Sequence, residues 1–184
     1  MGPQVDEHNV DELRDLELKT FHDAVGAERD PTMLILRAHL FTENLLERLI
    51  RLGIPRGDKV IETASLSYAQ KLVLVEALEE LPDAVASSLR GLNKLRNQCA
   101  HQLGRTISDA DVVRIGSPLG SSFTQFHRKA KYDPTETLRK VAGHVAGYMT
   151  GVCHVLEEQK VAKEKLHDIK EKSIQKSAPR QPDV

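Results

Sequence analysis

A chain of 184 residues is long enough for one domain with a full-sized core. With 4% aromatic residues and no Trp, that core is built from Leu, Val, Ile and Ala, and two cysteines exclude a disulfide framework. The net charge of −1 excludes a general polyanion binder but hides an asymmetry, since residues 1–86 carry −8, 87–131 carry +6 and 132–184 carry +1.

The first residues, "MGPQVDEHNVDELRDLELK", lack the basic start and apolar run of a signal peptide. From residue 6 to about 28, Val10, Leu13, Leu16, Phe21 and Val25 recur at helical spacing behind acidic first turns. "ERDPTM" interrupts this helix, and Asp30 then caps a second whose first turn accepts Pro31. There Leu34, Ala38, Phe41, Leu45, Leu49 and Leu52 share a face, and Gly53 followed by Pro55 ends the run. A loop containing "PRGD" leads to a third helix over 66–81, closed by Pro82. Asp83 is placed to cap a fourth, 84–103, stopped by Gly104.

Residues 104–133 read as irregular. Within them, S-x-x-D at 108–111 opens a short helix, and "GSPLGSS" is a loop or lid. Asp133 as cap, Pro134 in the first turn and Glu136 as reciprocal partner make the clearest helix start in the chain. Beyond it Leu138, Val141, Val145, Tyr148, Val152, Val155, Gln159, Ala162, Leu166 and Ile169 alternate steps of three and four, a heptad stripe. Gly143, Gly147 and Gly151 recur beside it. Interior glycines weaken a helix, so their spacing predicts close approach of another backbone, in the same chain or in a second copy.

No run alternates with period two, and no stretch approaches ~20 uninterrupted apolar residues. The expectation is an all-α, single-domain bundle of about five main helices with a long C-terminal one. It occupies residues 1–171, with a polar, disordered tail over 172–184, in a cytoplasmic protein without a membrane span.

The basic segment contains "LNKLRNQCAHQLG", residues 92–104. At about 100° per residue, Arg96 falls within the stripe formed by Val85, Leu89, Leu92, Cys99 and Leu103. Asn93, Asn97 and His101 form a polar row beside it. An ordinary role for Arg96 is a packed stem with its head paired to a carboxylate. An ordinary role for His101 is a cation at the negative end of a helix. Metal-protease, zinc-cluster, phosphate-loop and serine-hydrolase motifs are all absent, and no metal or cofactor is expected.

"LRNQCAH" has the form R-N-x-x-A-H and resembles the R-x4-6-H motif of the HEPN superfamily. "SYAQKLVLVEAL" and "RAHLFTENLLERLI" resemble earlier helices of its mannitol-operon-repressor-like members. The resemblance spans roughly residues 30 to 160. It implies a helical bundle that forms a homodimer with the motif helices adjacent, and in active members a metal-independent endoribonuclease. Arg96 and His101 are then the catalytic pair, with Asn97, Asn93 and Lys94 supporting or binding phosphate. An imidazole titrating near ~6.5 suits acid–base work at neutral pH, and a guanidinium suits developing phosphate charge. The implied substrate is a single-stranded region of tRNA or mRNA, and the implied setting is a toxin paired with a cognate antitoxin, or a defence system. The alternative is a non-catalytic regulatory or protein-interaction module of the same fold.

Overall fold

A computed structural model describes residues 19–26, 28–102 and 105–177, which form helices joined by turns with no strand among them. The helices are α1 (Pro31–Gly53), α2 (Gly57–Thr63), α3 (Tyr68–Ala77), α4 (Asp83–His101), α5 (Asp109–Gly116), α6 (Ser121–Lys129) and α7 (Pro134–Ser177). A π-helical turn, His22–Gly26, precedes them, and a 3-10 turn, Ser117–Leu119, separates α5 from α6. None of the described helices is long and apolar enough to cross a membrane.

Most of the expected N-terminal helix, with Val10, Leu13 and Leu16, lies outside the described residues. Its end is visible: Phe21 and Val25 are buried, and the Phe21 ring meets Phe41 edge-on at 5.0 Å. The centre of the bundle is α1 against α7, with α3 and α4 packed on α1. Asp30 caps α1 as expected, its carboxylate accepting from the N–H groups of Thr32 (2.7 Å) and Met33 (3.1 Å). Leu34, Ala38, Leu45, Leu46 and Leu49 of α1 are buried, while Phe41 and Leu52 are partly covered. Removing such aliphatic side chains from water is the main stabilising contribution, roughly 2 kcal/mol each.

Several boundaries differ from the sequence expectation, each for a local reason. The "PRGD" segment is a tight turn into α2. Arg56 takes the left-handed region at φ 62°, and Gly57 lies so close to α1 that a Cβ would stand 2.1 Å from the Ile50 carbonyl oxygen. Asp83 does not cap α4; Pro82 occupies that position and Asp83 sits inside the first turn. α4 is helical to His101, while Leu103 and Gly104 lie outside the described residues. The expected α5 is present with its capping box: Ser108 Oγ accepts from Asp111 N–H (3.3 Å), and the Asp111 carboxylate accepts from Ser108 N–H (3.1 Å). The region read as irregular contains a further helix, α6, which sequence reading misses because Gly120 and two serines disguise its start.

Asp133 caps α7 by accepting from Glu136 N–H at 2.7 Å. The Glu136 carboxylate is not the reciprocal partner; it pairs with Arg139 (3.0 Å) and Lys140 (3.1 Å). α7 continues to Ser177, past the expected end at residue 171, because Lys, Glu and Gln favour helix and no Pro intervenes before Pro179. Residues 178–184 lie outside the described residues. Only the first part of the heptad stripe enters the core: Leu138, Val141 and Val145 are buried, but Val155, Leu166 and Ile169 are 52%, 54% and 64% exposed. Gly143 and Gly151 do not mark an intimate helix pair within the chain. A Cβ at Gly143 would make only ordinary contact, 3.5 Å from Phe21, and at Gly151 it would meet nothing within 4 Å.

Candidate functional site

α3 and α4 diverge to leave a groove of about 490 Å³. Ala69, Leu72 and Val73 of α3 form its apolar wall. Ser67 starts that wall with a capping box, its hydroxyl accepting from Gln70 N–H while the Gln70 amide accepts from Ser67 N–H. The facing wall is α4, which buries Leu89, Leu92 and Leu95 and turns its polar row outward. Arg90, Asn93, Lys94, Asn97, Gln98 and His101 line this side, with Gln102 at the end. The lining thus holds two cations, four amides and an imidazole, and no carboxylate. Arg90 is engaged at the rim by a hydrogen bond to Glu76.

Four of the five residues expected from sequence share this groove: Asn93, Lys94, Asn97 and His101. Lys94, Asn97 and His101 are exposed, and His101 is the last residue of α4. Arg96 is not among the lining side chains. At about 100° per residue the buried residues of α4, Val85, Ala86, Ser88, Leu89, Leu92 and Leu95, fall on both sides of Arg96, so Arg96 belongs to that face, yet near the end of the helix it is only half-buried. Leu95 and Ser88 are covered because α5 packs on that side, where Gly91 meets Ile115. Arg96 Nη1 donates to Asn97 Oδ1 at 3.2 Å, and no carboxylate among the described residues pairs with it. Asn97 therefore belongs to the groove and touches the guanidinium beside it.

Asn93 lines the groove and also reaches the layer beneath it. Its Oδ1 accepts from Nε2–H of His39, 3.1 Å away on α1. The buried His39 ring stacks on Tyr68 of α3 (4.2 Å between centroids), and Tyr68 and Thr42 share a hydroxyl–hydroxyl bond of 3.0 Å. Lys71 of α3 donates to Glu43 (2.8 Å) and Glu47 (2.7 Å) of α1. Burial opposes the Lys71 charge, but the two carboxylates outweigh it and raise the ammonium above its ordinary value. Burial lowers His39, and the charges of Arg96 and Lys71 act in the same direction, while the Asn93 bond and Glu43 oppose them. The net direction is down. This polar layer beneath the groove joins α1, α3 and α4. Its signal in the sequence is that His39 lies four residues before Glu43 and four after Ile35, inside a buried run.

The end of α4 is tied to α5. Arg105 N–H donates to the Gln102 carbonyl (3.2 Å), and its guanidinium reaches Asp111 at 2.8 Å. Cys99 is partly covered nearby, and burial pushes its thiol up, which favours the protonated form. Among the described residues no three His, Cys, Asp or Glu side chains are grouped to hold a metal ion.

Comparison with protein-family models, with curated proteins and with solved structures finds no match for this chain. The class that fold and groove define is an all-α bundle with a cationic, amide-lined groove between two helices, ending in an exposed histidine.

Proposed function

We propose that the chain is a metal-independent endoribonuclease of the HEPN type, acting as a homodimer and serving as the toxin of a toxin–antitoxin or defence system. The observation that carries this reading is the groove lining. Lys94 and four amides, with Arg90 paired to Glu76 at the rim and no carboxylate in the lining, suit a phosphodiester backbone, which brings charge to be neutralised and oxygens that accept hydrogen bonds. His101 stands at one end, accessible to substrate.

RNA supplies its own nucleophile. A base takes the proton of the 2′-hydroxyl, the oxygen attacks the adjacent phosphorus, and the bond to the 5′-oxygen breaks as an acid protonates it. The products are a 2′,3′-cyclic phosphate and a 5′-hydroxyl. His101 is suited to one proton transfer, and the second copy's His101 to the other. Arg96 stabilises the charge on the phosphate oxygens, held toward the groove by Asn97. Lys94 and Asn97 hold flanking phosphates. Asn93 serves through its bond to His39, by fixing the groove wall.

His101→Ala and Arg96→Ala are each expected to abolish cleavage of tRNA or mRNA, and growth inhibition, with the fold intact. Cleavage is expected to survive EDTA and to leave cyclic phosphate ends. Activity that persists in His101→Ala, or that EDTA removes, overturns the assignment. A second reading, a non-catalytic regulatory or interaction module, is favoured by the position of Arg96 outside the groove that His101 lines. It predicts that His101→Ala leaves the biological effect unchanged.

A further inference from the structure

The last turn of α6 and the residues after it read "FHRKAKY", 126–132, three cations flanked by aromatic rings. The chain leaves α6 through a helix-ending motif in which Tyr132 N–H donates to the His127 carbonyl (3.0 Å) and Lys131 N–H to that of Arg128 (3.0 Å). The motif requires a left-handed residue, ordinarily Gly. Here Lys131 takes it at φ 52°, and Tyr132 follows at φ 63°. Two bulky side chains thus occupy backbone positions that glycine would fill with less strain.

The strain displays a surface. Arg128, Lys129 and Lys131 are exposed, and Tyr132 is 65% exposed with its ring set edge-on against His127 at 4.8 Å. None of the three cations has an ion pair among the described residues. The nearby acids are engaged elsewhere: Asp133 caps α7, Glu136 pairs with Arg139 and Lys140, and Asp109 faces His127 at 3.8 Å. The apolar residues of α6 turn inward, Phe123 buried and Phe126 half-buried, so the helix offers no apolar face to a lipid surface.

The end of α4 is linked to α6 through α5, since Arg105 pairs with Asp111 at 2.8 Å and His127 faces Asp109 at 3.8 Å. α5 begins at Asp109, seven residues after Gln102 of the groove, and the last turn of α6 returns to Asp109 through His127. We infer that Arg128, Lys129, Lys131 and Tyr132 form a landing surface for single-stranded RNA that extends the α3–α4 groove, with cations on successive phosphates and Tyr132 stacked on a base. The inference rests on RNA as the ligand of that groove.

The test is titration of the full chain with a fluorescein-labelled 12-nucleotide single-stranded RNA at several salt concentrations, alongside thermal melting. Lys131→Gly is expected to raise the melting temperature by about 2 °C, because Gly suits the left-handed position, while weakening RNA binding about threefold. The triple variant R128A/K129A/K131A is expected to lose tenfold or more in affinity at low salt and to flatten the salt slope by about 2. Tyr132→Ala is expected to lose about tenfold, and Tyr132→Phe to keep wild-type affinity. Unchanged RNA affinity in the triple variant overturns the inference, as does a variant-sensitive interaction confined to vesicles of phosphatidylserine and phosphatidylcholine. His101→Ala separates the two ideas. If it stops cleavage while the triple variant binds as wild type, the groove reading stands and this surface falls. If it leaves cleavage intact while the triple variant loses affinity, the reverse holds.

Discussion

Arg96 is a half-buried guanidinium whose described partner is the Asn97 amide at 3.2 Å, not a carboxylate. A structural arginine in such a position is ordinarily paired, since an unpaired buried charge is costly. Arg96→Met keeps the stem volume and leaves no orphaned acid, so melting within about 0.5 kcal/mol of wild type is expected, together with loss of RNA cleavage. A large stability loss with cleavage retained would make Arg96 a packing residue. His39 is the second informative side chain. Its folded pKa is lowered, by burial first, so the neutral ring is favoured in the bundle. Its contribution is therefore complete above the unfolded value near ~6.5 and is lost as pH falls toward the lower folded value. His39→Gln, which retains a donor toward Asn93, is expected to match wild type at pH 7.5 and to lose less stability than wild type by pH 5.5. Chemical denaturation at the two pH values measures the difference.

At the scale of single elements, α5 is held by its first turn. Asp111 accepts from Ser108 and pairs with Arg105 (2.8 Å) and Arg114 (3.4 Å). Burial alone would raise its carboxyl, but the Ser108 hydrogen bonds and the two arginine charges outweigh burial and hold it below the usual range. A lowered folded pKa means stabilisation that is complete above about pH 4 and is lost as pH falls through the folded value. Asp111→Asn is expected to cost about 1–2 kcal/mol at pH 7 and to close on wild type as pH falls below about 4. Thermal unfolding across this range reads this. A gap that persists in acid would assign the effect to shape rather than charge. Because α5 anchors the segment leaving His101, the same variant is expected to disturb the groove end before the groove wall.

At the scale of the whole molecule, the proposed mechanism asks for two imidazoles, and one chain offers one in its groove. The expected species at micromolar concentration is a dimer, twice the 20.5 kDa of the chain, with the two α4 helices near the two-fold axis. Light scattering after size exclusion measures it, and a monomer removes the composite site. The exposed end of the α7 stripe, from Val155 to Ile169, is a further apolar surface of the single chain.

The sequence by itself determined the helical class, the caps at Asp30, Ser108 and Asp133, and the polar row Asn93–Asn97–His101. Those features are local: a cap acts within three residues, and a helical face repeats within four. The polar row could be placed on one side of α4 without knowing what faced it. Tertiary structure decided the rest. That Arg96, within the apolar face of α4, is only half-buried while Leu95 and Ser88 are covered by α5 depends on packing between elements that a sequence window does not connect. Asn93 reads as a free ligand until α1 places His39 against it, fifty-four positions away in the chain. α6 was hidden because its start carries turn residues while its register is set by Phe123 packing inward. The heptad stripe of α7 was legible as a pattern, but a pattern does not say where the bundle ends, and only packing showed that half of it emerges into solvent.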